Sequence, residues 1–407
     1  MRVGQQIATG RKVVNPSDDP QAASRAVQVA QSMSVTQQYT DSRISARNAL
    51  SQEESVLNSV SDAIASAKTL MIQAASDTLS DADRASVASD LRGVYETVIG
   101  QANATDGNGR HLFGGYQDAS EPFVRAADGT VSYVGDTNTR EQRIDASRLM
   151  QVTDNGQTIF QSVHSSAGYV AEADAGNSGS LTFKGPQVID ESDPDFGNSF
   201  QIEFSVTGGT TTYSVDGGPA QAYEEGEPVE VGGLSITLKG QPADGDSIEM
   251  GKAENMNTDL FKTFEKALAV LDQPAGNDAE KAARANTINT VMREFDNSLD
   301  NVLTVRASVG SRLNELNVVD GVADNRQLNY TETYSNLIGD LSDPANFGQC
   351  AKLIQFFRAF FYPTFKADVC FFESTLRLSV NSNVCEARYE ASVRHRVALH
   401  RNDDTVR

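Results

Sequence analysis

The chain has 407 residues, with 34 Lys and Arg against 55 Asp and Glu, a formal charge of −21. That acidic excess excludes a phosphate backbone as partner, because nucleic-acid binding needs clustered Lys and Arg to release counterions. Hydrophobic content is 39% and no run of eighteen apolar residues occurs, which excludes a membrane-spanning helix; by length, two or three domains are expected.

At the start, "NPSDDP" predicts a hinge between two helices. Asn15-Pro16 favours a turn, Asp19 is placed as N-cap, and Pro20 sits at the first helical position, where its missing N–H costs nothing. No charged-then-apolar leader precedes Gly4, so no cleaved secretory signal is expected. From Pro20 to Gly93 there is neither Gly nor another Pro, and one long helix is predicted to about Ser76. Its buried seam is Leu57, Val60, Ile64, Ala67, Met71 and Ala74, stepping by three and four. Ser80 reads as the N-cap of a second helix with an acidic first turn at Asp81 and Asp83, running through Val87, Leu91, Val94 and Val98.

The middle differs in kind. Residues 105–255 hold 22 of the 31 glycines, and short alternating runs such as "SFQIEFSV", "TTTYSV" and "LSITLKG" are separated by Gly-Gly and Asp-Gly turns. These runs predict β-strands. Helical periodicity returns at Leu260, Phe264, Leu268 and Leu271. It continues at Ile288, Val291, Phe295, Val302, Val305, Val309 and Leu316, in a stretch free of Gly and Pro from Asn277 to Val309. The fold class is therefore α+β. A helical rod from residues 1–150, with a hairpin, and from 255–341 carries an inserted β-rich domain at 151–254. Residues 20–76 and 284–337 are expected to run antiparallel.

From Ser342 the composition changes: nine Lys and Arg against seven Asp and Glu leave −23 on the preceding residues, and eight of the 18 phenylalanines crowd into this segment. All three cysteines, Cys350, Cys370 and Cys385, lie there, so a disulfide framework does not hold the body together. Residues 342–407 thus form an atypical tail with the pattern expected of a shifted reading frame; a lineage-specific tail is the alternative.

No residue is assigned a catalytic, cofactor-binding or metal-ligating role. His111, His164, His395 and His400 do not pair with cysteines at ligand spacing. "DGNGRH" begins like a calcium loop at Asp106, but Arg110 and His111 stand where an oxygen ligand and a glycine are required, so Gly107 and Gly109 are read as a turn. The acidic run Asp190 to Asp195 is read as a solvated loop rather than a cation site. Carboxylate pairs at Asp18/Asp19, Glu53/Glu54 and Asp81/Asp83 cap or decorate helices, with no positioned nucleophile beside them.

"ATGRKVVNPSDDPQAAS", "LSQEESVL", "TLSDADRASVASDL", "NATDGNGRHLFGGY" and "RASVGSRLNELN", in this order, resemble the hook-associated (FlgL, flagellar hook-associated protein 3) junction family of the bacterial flagellin superfamily, over about Met1 to Asp343. The resemblance implies a non-enzymatic structural subunit at the hook–filament junction, stacked in a ring with copies of itself. It implies flagellin and the other junction protein as neighbours, an export chaperone for the C-terminal segment, and an extracellular place in the flagellum after export through the flagellar type III apparatus. It also implies that the opening turn joins an axial terminal helix to the helical rod. Only about fourteen residues precede that turn here, so a truncated N-terminus is expected. A flagellin proper is the alternative, and an adhesin or carbohydrate-binding module on the β domain is a third reading, for which Tyr213 and Tyr223 are the candidate aromatics.

Overall fold

The computed structural model describes residues 5–6, 9–76 and 78–339; the atypical tail, and residues 1–4 and 7–8 of the segment expected to form an axial helix, lie outside these residues. The chain divides into two compact units, Ser42–Asn317 and the residues on either side of it in sequence, Met1–Asp41 with Val318–Arg407. Both divisions fall inside long helices.

In Ser42–Asn317 the framework is helical. Helix α1 (Pro20–Ala74) ends two residues before the expected Ser76, and α2 (Asp81–Ala102) follows. Ser80 caps α2 as its spacing predicts: its hydroxyl accepts from the Asp83 N–H at 3.2 Å, and Asp83 in turn accepts from the Ser80 N–H at 3.2 Å. The seam from Leu57 to Ala74 is buried throughout. Its counterpart lies on the last helix, which runs Asp278–Ile338, where Ile288, Val291, Phe295, Val302, Val309 and Leu316 are buried; Val305, expected on the same seam, is only half-buried. Each fully buried Leu, Val or Phe stabilises by about 1.5–3 kcal/mol.

Cross-links fix the direction of the pairing. Arg47 donates to Asn317 Oδ1 at 3.0 Å, Arg306 pairs with Glu54 at 2.8 Å, and Lys68 pairs with Asp296. As the first partner advances along the chain the second retreats, so within this unit the two helices run antiparallel.

The insertion begins with two hairpins, β1 (Phe123–Arg125) with β2 (Val131–Tyr133) and β3 (Glu141–Asp145) with β4 (Arg148–Gln151), followed by a short helix α3 (Gly156–Phe160). Eight further strands follow: β5 (Tyr169–Ala173), β6 (Thr182–Val188), β7 (Phe200–Thr207), β8 (Thr210–Val215), β9 (Gln221–Ala222), β10 (Pro228–Val231), β11 (Leu234–Lys239) and β12 (Ser247–Lys252). They make a five-stranded sheet in the order β5-β12-β7-β8-β9 and a three-stranded sheet in the order β10-β11-β6, all antiparallel.

Alternation sets the faces. Phe200, Ile202 and Phe204 of β7 and Leu234, Ile236 and Leu238 of β11 point into one core with Phe183, Ile248 and Met250. The turn joining β10 to β11 is the pair Gly232-Gly233, with φ of 53° and 73°, and that joining β7 to β8 is Gly208-Gly209, with φ of 61° and 84°. Two successive positive φ values belong to the tight hairpin turn that matches strand twist, and they favour glycine. The chain then enters helix α4 (Leu260–Asp272), capped by Asp259, and helix α5 (Asp278–Ile338).

Aromatic rings tie these pieces together. Centroid distances run Phe113–Phe160 5.6 Å, Phe160–Phe123 5.3 Å, Phe123–Phe261 4.8 Å, Tyr95–Phe264 5.2 Å and Phe264–Phe295 4.8 Å, with Phe261 also 6.4 Å from Tyr95. Hairpin β1-β2, α3, α4, α2 and α5 thereby share one core.

In the other unit, the segment before α1 lies against the end of α5. The Lys12 and Val13 N–H groups both donate to the Ile338 carbonyl at 3.0 Å, and Gly339 adopts φ of 63° after the last helical residue. That is the left-handed termination by which helices expose their last carbonyls to new donors.

Candidate functional site

Three structures carry the chemistry that a scaffold can use: the opening turn, a polar face on α5, and exposed apolar positions on the helices beyond Ser42–Asn317.

The turn is built as its residues predict. The Asp18 N–H donates to the Asn15 carbonyl at 2.9 Å, and the Asp18 carboxylate accepts from the N–H groups of Asn15 at 3.0 Å and Val14 at 3.2 Å. Asp19 then accepts from the Ala22 N–H at 3.0 Å, capping α1. Six backbone donors between Lys12 and Ala22, including Lys12 and Val13 on Ile338, are satisfied by this turn and the end of α5.

Helix α5 has a second buried face that its apolar periodicity does not announce. Asn286, Thr290, Glu294, Asn297 and Asn301 recur at steps of four, four, three and four, and all are buried. Asn286 donates to the Leu181 carbonyl at 2.8 Å and accepts from the Phe183 N–H at 3.0 Å. Asn289 donates to the Phe183 carbonyl at 2.9 Å, and the Thr290 hydroxyl to the Ala171 carbonyl at 2.7 Å. These amides and the hydroxyl therefore occupy the places of a neighbouring strand along β5 and β6, closing backbone edges that would otherwise pair with another chain. Asn301 donates to the Thr158 and Ile159 carbonyls at 2.9 and 3.0 Å, satisfying two carbonyls of α3.

Glu294 is the centre of this face. It accepts from Lys266 at 2.8 Å, from the Thr263 hydroxyl at 2.9 Å and from Asn257 at 3.0 Å, while Lys266 reaches on to Glu172 of β5 at 2.7 Å. Burial alone would lower the Lys266 ammonium; the charges of Glu294 and Glu172 and their hydrogen bonds outweigh it and raise it. Beside this network a cleft of about 220 Å³ opens between β5, the 174–181 loop and the start of α5. Its polar side chains, including Glu172, Asp174, Asn177 and Lys266, are all bonded within the wall.

The Glu53/Glu54 pair departs from expectation. Glu54 decorates the helix surface and pairs with Arg306, but Glu53 is only 1% exposed. Its periodicity offered no warning, because the residues that bury it, Asp154 and Arg312, come from distant segments.

The other sequence candidates are placed as follows. Asp106 accepts from the N–H groups of Asn108 at 2.8 Å and Arg110 at 2.9 Å, the hydrogen bonds of a turn. His111 Nδ1 lies 2.8 Å from the Asn103 carbonyl, and His164 Nδ1 lies 2.5 Å from the Ser166 hydroxyl. Asp190 accepts from Ser192 and Asp193 from the Asp195 N–H, closing local turns in an exposed loop. Among the described residues no group of three His, Cys, Asp or Glu is arranged to hold a metal ion; His395 and His400 lie outside them. Tyr213 bonds Gln221 at 2.9 Å and Tyr223 bonds the Gly240 carbonyl at 2.7 Å, and both rings pack on the β core rather than forming an open aromatic platform.

The exposed apolar positions are concentrated on α1 and α5. Val27 on α1 and Val318, Val322 and Leu328 on α5 are each more than half exposed, in the unit that has the fewest buried residues. Long helices with apolar groups left outward, tied by a polar face to a β-rich insertion, have the make-up of a helical scaffold protein. The bacterial flagellin N-terminal helical region matches residues 1–118. Flagellar hook-associated protein 3 of Escherichia coli (strain K12) is 33% identical over 339 residues, covering 83% of this chain and 81% of that protein. Its counterpart from Salmonella typhimurium is 32% identical over the same shares. The crystal structure of FlgL from Xanthomonas campestris superimposes with a TM-score of 0.67 at 25% identity, over 75% of this chain and 99% of the other. The chain belongs to the flagellar hook-associated protein 3 family, a structural component of the bacterial flagellum at the hook–filament junction, which favours the junction reading over the filament flagellin.

Proposed function

We propose that this chain is the ring-forming subunit that links the hook-side junction protein to flagellin, acting without catalysis and reaching its place through the flagellar type III export apparatus. The observation that carries the reading is the match to hook-associated protein 3 across four-fifths of that protein's length. Support for self-association comes from Val27, Val318, Val322 and Leu328, whose apolar side chains are left open on the helices. Head-to-tail contacts in a tube are heterologous, so opposite faces of each subunit must be complementary, and polar groups between these residues would set the register. An export chaperone would take the C-terminal segment, which lies outside the described residues.

The test is complementation in a strain that lacks its own hook-associated protein 3, using this chain extended at its N-terminus with the Escherichia coli relative's leading residues and carrying that relative's C-terminal segment after Asp343. Filaments should grow on the hook. Export of the hybrid accompanied by flagellin shed into the medium would contradict the proposal. The chain as written, with its atypical tail, is expected not to restore filaments.

A further inference from the structure

Among the described residues, Glu53 Oε2 is the one buried carboxylate oxygen that lacks a hydrogen-bond partner. The other oxygen, Oε1, accepts from the Asp154 N–H at 3.2 Å. Asp154 sits at the point where the chain leaves β4 for α3. Its carboxylate accepts from Gln151 Nε2 at 2.6 Å and pairs with Arg312 of α5, whose guanidinium also donates to the Gln151 carbonyl at 3.1 Å. Arg312 and Asp154 are themselves largely buried. Two carboxyl groups therefore lie within the field of one guanidinium that is bonded to Asp154, and with both ionised the cluster would hold an uncompensated buried negative charge.

Every other charge on the packed segments is engaged elsewhere. On α1 and α5, Glu54 pairs with Arg306 at 2.8 Å. Arg148 beyond β3 pairs with Glu315 at 2.5 Å, and Arg140 with Asp118 at 2.9 Å. On the next turns of α1, Arg43 donates to the Ile144 carbonyl and Arg47 to Asn317, each at 3.0 Å. Among the described residues no Lys, Arg or His forms an ion pair with Glu53.

We propose that Glu53 is a neutral carboxylic acid whose Oε2 proton is shared with the Asp154 carboxylate, making an acid-closed clasp that fastens the 151–156 segment to α1 and loosens as pH rises. The proton turns an orphan acceptor into a donor and removes the excess charge in one step. Burial first, then the Asp154 charge and a hydrogen bond to its side chain, hold the Glu53 carboxyl well above the ordinary glutamate value, against the opposing pull of Arg312. Because the folded-state value is raised, this group's contribution is fully present below its unfolded value and is lost as pH rises through the folded value. The clasp lies where the chain passes from the helices to the β-rich segment, so pH governs how firmly that passage is held.

The experiment is a carboxyl-carbon NMR titration of the full chain, with the Glu53 resonance assigned through its own backbone in the unmutated protein. Glu53 should titrate well above 4.5, the ordinary reference, and Asp154→Asn should move its midpoint downward. In thermal unfolding the fall in midpoint from about pH 5 to about pH 9 should be shallower in Glu53→Gln, because the amide keeps a neutral donor toward Asp154 at every pH. Titration of Glu53 at the ordinary value would overturn the clasp. So would a raised midpoint that Asp154→Asn leaves unmoved, because burial alone would then account for it.

Discussion

The same two helices, α1 and α5, behave differently in the two compact units. Within Ser42–Asn317 their inward faces are covered by Leu50, Leu57, Ile64, Met71, Val291, Phe295 and Val302, all fully buried, with α2, α4 and the hairpins adding further cover. In the other unit the buried set shrinks to Ala26, Thr36, Val319, Ala323, Ser335 and Ile338, while Val318 is 67% and Leu328 65% exposed. Freedom from Gly and Pro permits α1 in both places, and α5 carries one glycine in each, Gly310 and Gly321; only the first place has enough apolar area to hold the helices. Isolated helical segments draw most of their stability from packing of an apolar face, so the helices of the second unit have less of their own packing to hold them.

The largest break in this comparison should come from Phe295→Ala, which empties a fully buried site packed on Phe264. A loss of about 3–5 kcal/mol is expected in urea unfolding. A truncation outside the core unit, Val319→Ala, removes far fewer buried atoms and should cost under about 1.5 kcal/mol. Equal losses would mean that the two regions are equally packed.

Glu294→Ala should cost about 3 kcal/mol, since it takes the shared buried acceptor away from Lys266, Thr263 and Asn257 and leaves Lys266 with Glu172 alone. The raised Lys266 ammonium gives this region its pH signature: its contribution is fully present below the ordinary lysine value of 10.5 and is lost only as pH climbs through the raised one. Unfolding midpoints of the wild type and Glu294→Ala should therefore converge only in strong alkali. Convergence near neutral pH would count against a charged pair.

Residues 165–252 sharpen the comparison from the β side, because the core of Phe183, Phe204, Leu234, Ile236 and Ile248 lies wholly within them. Expressed alone, they should give a β-type circular dichroism spectrum and a cooperative melt; a disordered spectrum would make them an appendage of α5. At the smaller end, Ser80→Ala should lower stability by about 1 kcal/mol through loss of the α2 cap. Val322→Ser, on an exposed position, should stay within about 0.5 kcal/mol of wild type in monomer unfolding, while weakening assembly into tubes.

Local features were legible in the sequence wherever one segment carries its own instruction. Asp19 and Ser80 announce helix starts, the Leu57 to Ala74 seam announces a buried face, and Gly208-Gly209 and Gly232-Gly233 announce hairpins. Features that need distant partners were not. Asn286, Thr290, Glu294 and Asn301 look like a solvated helix face until β5, β6 and α3 arrive to use them, and Glu53 looks like a surface acid until Asp154 and Arg312 cover it. The aromatic core draws Phe113, Phe123, Phe160, Phe261 and Phe295 from five separate stretches, none of which signals the others. Buried polar residues at helical spacing in "NTINTVMREFDNSLDN" are the one trace that a closer periodicity reading could have used.

Hydrogen exchange along α1 in the unassembled chain tests the difference between the units most directly, because one continuous helix crosses from one to the other. Amides from Ser42 to Ala74 should exchange through global unfolding, and those from Ala23 to Asp41 orders of magnitude faster through local opening. Uniform protection from Ala23 to Ala74 would contradict the account, since it would mean that the small seam of Ala26 and Thr36 holds its helix as firmly as the Leu57 core, without any neighbouring subunit.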